Sequence, residues 1–247
     1  MVEMKLNKAI SFVGKSLLIE DDFIEGGERR KRILVLGDLH LGYHGSVPDL
    51  LPDIIFKETI QDLELVLKHV GEVDEIILLG DVKHEFSGIL EKEWRETRKF
   101  FNILKQHTKK IIVVKGNHDT ILDPISRELG FTLVDFYLLG KYGFFHGDKM
   151  FDALLEKDVE VLLCGHLHPA VSLREGVKIE RYKCFLVGSW KRKKVIILPS
   201  FFPLIEGGDI FYHEGNLGFG LDVKKCEVYL VGSGLDVFHF GKMGKLG

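Results

Sequence analysis

The sequence predicts an α/β fold, and three observations carry that prediction. Short runs of leucine and β-branched residues recur, each ending in glycine or a polar cluster. Between residues 33 and 165 these runs alternate with stretches of helical periodicity, the pattern of strands joined by crossover helices. After residue 168 the texture changes to strands separated by glycine-rich turns, which reads as a second, largely antiparallel sheet. Length agrees with this, since 247 residues, 45% of them hydrophobic, can bury a sizeable core. No repeat or low-complexity linker is visible. Residues 1–247 are therefore read as one domain, with a motif-bearing core at 33–168 and a mainly β part at 169–240.

Taken in order, residues 33–36, 75–79, 111–114 and 159–163 are continuously apolar, as expected of parallel strands buried on both faces. A helix is predicted over 53–70, where Ile55, Ile60, Leu63, Val66, Leu67 and Val70 share one face and Pro52 and Asp53 suit its start. A second is predicted over 93–107, carrying Trp94, Phe101 and Leu104 at helical spacing, with shorter helices over 124–129 and 150–157. The later strands are predicted at 171–174, 184–187, 195–198, 209–212, 227–231 and 237–240, and the tail at 241–247 is expected to fray.

Composition excludes several classes. Abundant Leu, Ile, Val and Phe with a net charge of −3 exclude a disordered chain. No apolar run approaches the roughly 20 residues of a bilayer span, and the first residues do not read as a signal peptide. Cys164, Cys184 and Cys226 are odd in number and sit in apolar contexts, so no disulfide framework is expected and the cytoplasm is the default compartment. Few Asn and Gln beside plentiful Lys and Glu lean towards a thermophilic source. A pI near 6.4 gives no general attraction to nucleic acid. Two basic runs, Arg29 to Arg32 and Lys191 to Lys194, each precede an apolar run; a solvated turn is the ordinary reading and a phosphate-binding patch the alternative.

Chemistry concentrates where the strands end. The clusters are Gly37-Asp38-Leu39-His40, Gly80-Asp81-Val82-Lys83-His84, Gly116-Asn117-His118-Asp119, His146-Gly147-Asp148 and Gly165-His166-Leu167-His168. Ligands of open α/β folds collect beyond the carboxyl ends of strands. A lone Asp there is ordinarily a turn or cap, but five such clusters in succession are not explained by turns. Asp, Asn and His offer oxygen and nitrogen donors suited to Mn2+, Fe or Zn2+ rather than to thiolate-preferring ions. The donors suffice for two cations with a carboxylate such as Asp81 shared between them, the arrangement that hydrolyses phosphate esters.

These blocks resemble the calcineurin-like metallophosphoesterases, whose pattern is D-x-H, G-D, G-N-H-D/E, a lone His and G-H-x-H. The resemblance runs from Gly37 to His168. The Gly-Asp-Leu-His-Leu-Gly opening and Gly-His-Leu-His-Pro closing are most similar to archaeal phosphoesterases related to SbcD nucleases and to ligase-associated DNA-repair phosphoesterases. Leu198-Pro199-Ser200-Phe201, followed by Gly207-Gly208, is similar to that subgroup as well. The resemblance implies a four-layer α-β-β-α sandwich of two mixed sheets, with the dimetal site in loops at strand C-terminal ends. It implies two divalent metals, Mn2+ foremost, with Fe, Zn2+ or Ni2+ as other occupants. The first would take Asp38, His40, Asp81 and His168, and the second Asp81, Asn117, His146 and His166. His118 would act as a catalytic acid, its ring held by Asp119, and His84 is a candidate to orient a metal ligand from behind it.

The implied activity is phosphodiester hydrolysis by a metal-bridging hydroxide, with nucleic acid as substrate. A small-molecule or cyclic-nucleotide phosphodiesterase is the alternative, and a non-catalytic scaffold on the same fold a third reading. The double-strand-break nucleases of this superfamily carry a DNA-capping region for which the chain is expected to be too short. Apolar C-terminal strands offer an edge for a homodimer. His44 suits either the cleft or a surface turn. His69 and His107 suit helix ends, His213 and His239 are expected to be structural, and Cys164 is expected to be a small buried hydrophobe.

Overall fold

Strands with both faces buried need covering layers on each side, and the chain supplies them in sequence order. The computed structural model describes residues 4–22, 30–43, 51–84, 91–119, 122–176, 178–203, 208–209 and 217–245. The first sheet opens with an antiparallel meander, β1 (Met4–Lys5), β2 (Ile10–Val13) and β3 (Ser16–Asp21), which pairs with β4 (Lys31–Leu36). Helices α1 (Leu51–Val70), α2 (Glu91–Leu104) and α3 (Asp123–Leu129) then alternate with the parallel strands β5 (Glu75–Leu78), β6 (Ile111–Val114) and β7 (Thr132–Val134). The seven strands lie side by side in chain order.

The second sheet begins with β8 (Phe136–Leu139), β9 (Tyr142–Phe145) and β10 (Val161–Cys164). It continues through β11 (Pro169–Glu175), the long β12 (Lys178–Trp190), β13 (Lys193–Ile197) and β14 (Gly208–Asp209), and ends with β15 (Glu227–Val231) and β16 (Val237–Lys242). Strand β10 runs parallel to both β9 and β13, whereas β12 pairs antiparallel with β11, β13 and β15.

Alternate side chains place the layers. Ile33, Val35, Ile77 and Val114 of the first sheet meet Tyr142, Phe144, Leu163 and Ile196 of the second in a dry inter-sheet core. Leu34, Leu36, Leu78 and Val113 point the other way onto Leu63, Phe100, Leu104 and Ile125 of the helices. The outer face of the second sheet, with Phe145, Leu162, Cys184 and Val195, is covered by Leu154, Phe219 and Met243. Three short 3-10 turns, Asp152–Leu155, Val223–Lys225 and Met243–Lys245, supply helical structure on this side. The order is helix, sheet, sheet and short helical turns, the four layers expected, with both sheets mixed.

Several expectations need correction. The strand at 159–163 starts at Val161 and joins the second sheet, so that sheet holds parallel strands and begins at Phe136 rather than after residue 168. The predicted helix over 150–157 is a single 3-10 turn, because one turn suffices to bury Leu154 and a longer isolated helix costs more to nucleate. Helix α2 stops at Leu104, leaving His107 in the following turn, while His69 does lie in the last turn of α1. The tail does not fray at once: Met243 is buried. Of the strand predicted at 209–212, only Asp209 lies within the described residues, which exclude His44 and His213 altogether.

Candidate metal centre

Because β4, β5, β6, β9 and β10 end at one edge of the two facing sheets, the loops that follow them converge. They deliver Asp38 and His40, Asp81, Asn117, His146, and His166 and His168 respectively. The backbone there is strained. Seven non-glycine described residues have positive φ, and five are predicted ligands: Asp38 (27°), His40 (44°), Asp81 (47°), His166 (65°) and His168 (46°). Such conformations are disfavoured for residues bearing a Cβ and cluster at functional sites. Two glycines make room for the carboxylates. A Cβ on Gly116 would collide with the Asp81 side chain, and one on Gly165 with that of Asp38. Behind the first loop, Ser200 Oγ donates to the Asp38 carbonyl at 2.9 Å, so the segment from Leu198 to Phe201 braces this loop.

The donor atoms form two groups that share Asp81. Asp38, His40, Asp81 and His168 each offer an atom within 4.8 Å of the others, and Asp81, His146 and His166 do the same. His168 Nε2 lies 3.2 Å from Asp38 Oδ1 and 3.3 Å from His40 Nε2. The His146 Nδ1–H donates to the Leu79 carbonyl at 2.7 Å, which turns Nε2 inward. That atom faces Asn117 Oδ1 at 3.1 Å, His166 Nδ1 at 3.1 Å and Asp81 Oδ2 at 3.5 Å. The oxygens and ring nitrogens meeting at these distances need a proton or a cation between them.

The ionisation states say the same. Burial would raise both carboxyls, but the histidines around them win. Asp81 is held well below the usual carboxylate range by its hydrogen bond to His146 and the charges of His146 and His40. Asp38 is held down by His168 and then His146. Burial pushes His40 down to about 3, with His168 adding to the effect. His146 moves the other way. Burial opposes its charge, yet the Asp81 hydrogen bond and the charges of Asp38 and Asp81 raise it to about 10. Among these four groups, positive charge is thus drawn onto one buried imidazole beside two carboxylates, where a metal ion would otherwise provide it.

His118 lies beside this cluster without joining either group. Its backbone N–H donates to Asp81 Oδ1 at 3.0 Å, and its Nδ1–H donates to the His84 carbonyl at 2.5 Å. Nε2 is thereby directed to the site, 3.9 Å from Asp81 Oδ2. The expectation that Asp119 holds this ring is corrected. Asp119 is buried, and its oxygens accept the backbone N–H groups of Val82, Lys83 and Gly116, tying together the loops after β5 and β6. Burial and the neighbouring Asp81 push its carboxyl up to about 7. His84 contributes its carbonyl to His118, while its ring stacks on that of His118 and forms a third nitrogen cluster with it and His40.

A family model for calcineurin-like phosphoesterases matches residues 31–232. The chain belongs to that family. Among solved structures it is similar to a nuclease MPE from Pseudomonas putida, with a TM-score of 0.67 and 18% identity over 97% of this chain and 99% of that one. It is also similar to a single mutant of Vps29 from Entamoeba histolytica, with a TM-score of 0.39 and 14% identity over 85% and 98% of the two chains. At 18% identity the likeness to the nuclease MPE concerns the fold alone. A comparison with curated proteins found no match. Calcineurin-like phosphoesterases bind two divalent metals, and the two donor groups sharing Asp81 fit such a pair.

Some contributors to this centre were not singled out by sequence. Glu93 is fully buried on α2 and its Oε1 accepts the His84 backbone N–H at 3.1 Å. One turn on, Glu96 Oε2 accepts the Gly42 N–H at 3.0 Å. The helix thus clamps two of the three loops of the first metal group, those after β4 and β5. Two buried glutamates on the apolar side of a helix were the available signal, since unpaired carboxylates are not left in a core. Tyr43 packs edge-on against both His84 and Phe202 at the rim. Cys164 is buried, joins none of the donor groups found among the described residues, and has its thiol pushed up by burial and the nearby Asp38. His239 pairs with Glu227 on the outer strands at 2.9 Å.

Proposed function

We propose that this phosphoesterase-family chain is a dimetal phosphodiesterase that acts on nucleic acid. The observation that carries the reading is the pair of donor groups hinged on Asp81, with the Nε2 of His118 presented beside them. Two divalent cations bound there would supply an acidified water for attack and would neutralise charge on the phosphoryl group. Asp38, His40, Asp81 and His168 would hold one and Asp81, Asn117, His146 and His166 the other, with Mn2+ the expected occupant. His118 acts at the leaving oxygen: with Nδ1–H committed to the His84 carbonyl, Nε2 is the atom that delivers a proton. His84 and Asp119 hold that geometry, one through its carbonyl and the other by joining the two loops.

Nucleic acid is favoured over small esters by the subgroup likeness of the first and last motifs and by the nuclease whose fold matches over nearly the full length. Three buried cysteines, all free, suit a reducing cytoplasm.

The test strips the protein with chelator, reloads Mn2+ and compares bis-p-nitrophenyl phosphate with the monoester. The diester is expected to be preferred. His118→Ala should keep its metal and lose about 10²- to 10⁴-fold in turnover, and single- or double-stranded DNA should then be cleaved by the parent protein alone. Monoester preference, or turnover unchanged in His118→Ala, contradicts the reading.

A further inference from the structure

Arg30 of the first basic run and Arg192 and Lys194 of the second, far apart in sequence, meet at the opposite edge of the molecule. A cavity of about 750 Å3 there is lined by Lys8, Arg30, Arg192 and Lys194 together with Glu20, Asp21, Lys141 and Glu160. It lies where β4, β9, β10 and β13 begin, at least one strand length, roughly 13 Å, from the loops of the metal centre.

The acids on this wall are mostly committed. Glu20 pairs with Arg32 at 2.8 Å, and Asp21 binds Lys141 at 2.7 Å and the Tyr142 hydroxyl at 2.5 Å. Among the described residues Arg30 pairs only with Asp22, at 3.8 Å between exposed groups. Lys8, Arg192 and Lys194 have no ion pair among the described residues, leaving Glu160 as the remaining negative group in the lining.

The turn that presents them is costly. Lys191 (φ 47°) and Arg192 (φ 64°) form the two-residue loop between β12 and β13, both in the left-handed region that Asn-Gly fills with least strain. The start of β13 is pinned by buried Lys193, whose ammonium donates to the carbonyls of Glu156 and Val159. Of Lys191 and Arg192, Arg192 lines the cavity, so a basic side chain is kept at a strained position on an anchored hairpin, facing a cavity of ligand size. Tyr142, the aromatic residue in the lining, has its ring buried, so no base-stacking platform accompanies the charge.

We propose that this cavity binds a compact anion carrying two or more phosphate groups, at a site separate from the metal centre. The proposal does not depend on the catalytic reading. The probe is sodium tripolyphosphate, titrated calorimetrically, in metal-free buffer, into the chelator-stripped protein, into Arg192→Asn with Lys194→Thr, and into Asp81→Asn, so that neither chelation of Mn2+ nor binding at the metal centre contributes. Asn suits the left-handed position and Thr the strand, so the double variant should unfold at no lower temperature than the parent. It should bind the probe at least about tenfold more weakly, while Asp81→Asn binds it undiminished. Binding unchanged in the double variant, lost only in Asp81→Asn, or absent from the parent overturns the proposal. So does a short single-stranded oligonucleotide that binds through Arg192 and Lys194 where tripolyphosphate does not.

Discussion

Asp38, His40, Asp81, His166 and His168 all hold left-handed backbone angles, each at a cost on the order of 1–3 kcal/mol. Those angles turn side chains two positions apart in one short loop into a shared space, as with His166 and His168 after β10. The glycines beside them are equally constrained. Gly165→Ala should displace the Asp38 carboxylate and lower the metal content of the reloaded protein, which elemental analysis reads directly; metal content equal to the parent would contradict that role. These residue identities were legible in the sequence because each motif is local, with glycine and ligand side by side after an apolar run. The support of the His118 ring was not. It depends on the His84 carbonyl, thirty-four residues distant in the chain, and a backbone carbonyl leaves no mark on residue type.

Among the elements, the continuously apolar strands β4, β5 and β6 were legible because both of their faces are buried. The meander β1 to β3 was not, although Gly14 and Lys15 between two apolar runs are a hairpin signal. Nor could local periodicity tell which sheet β9 and β10 would join, since neighbouring sheets reward the same buried pattern. One tie between the sheets is polar. Asp21 at the end of β3 accepts the Tyr142 hydroxyl at the start of β9 and pairs with Lys141. Burial would raise its carboxyl, but those two hydrogen bonds hold it below the usual range. Its contribution is therefore present above the unfolded carboxylate value, about 3.9, and fades as pH falls through the lower folded value. Asp21→Asn should cost about 1 kcal/mol at neutral pH and flatten the loss of stability between neutral pH and about pH 3. A variant that loses stability on acidification as steeply as the parent would contradict this.

At the scale of the molecule, the candidate centre joins the two sheets. Asp38, His40, Asp81 and Asn117 come from the first sheet, and His146, His166 and His168 from the second. A shared cation pair at that edge would make the sheet interface part of the proposed active geometry, and Asp81 is the residue common to both donor groups. The measurement that bears most directly on this is the metal content of the parent and of Asp81→Asn after chelation, Mn2+ reloading and removal of free metal. Two ions per parent chain and at most one in Asp81→Asn are expected from a shared carboxylate. A single ion in the parent, or two retained in Asp81→Asn, would contradict the dimetal centre.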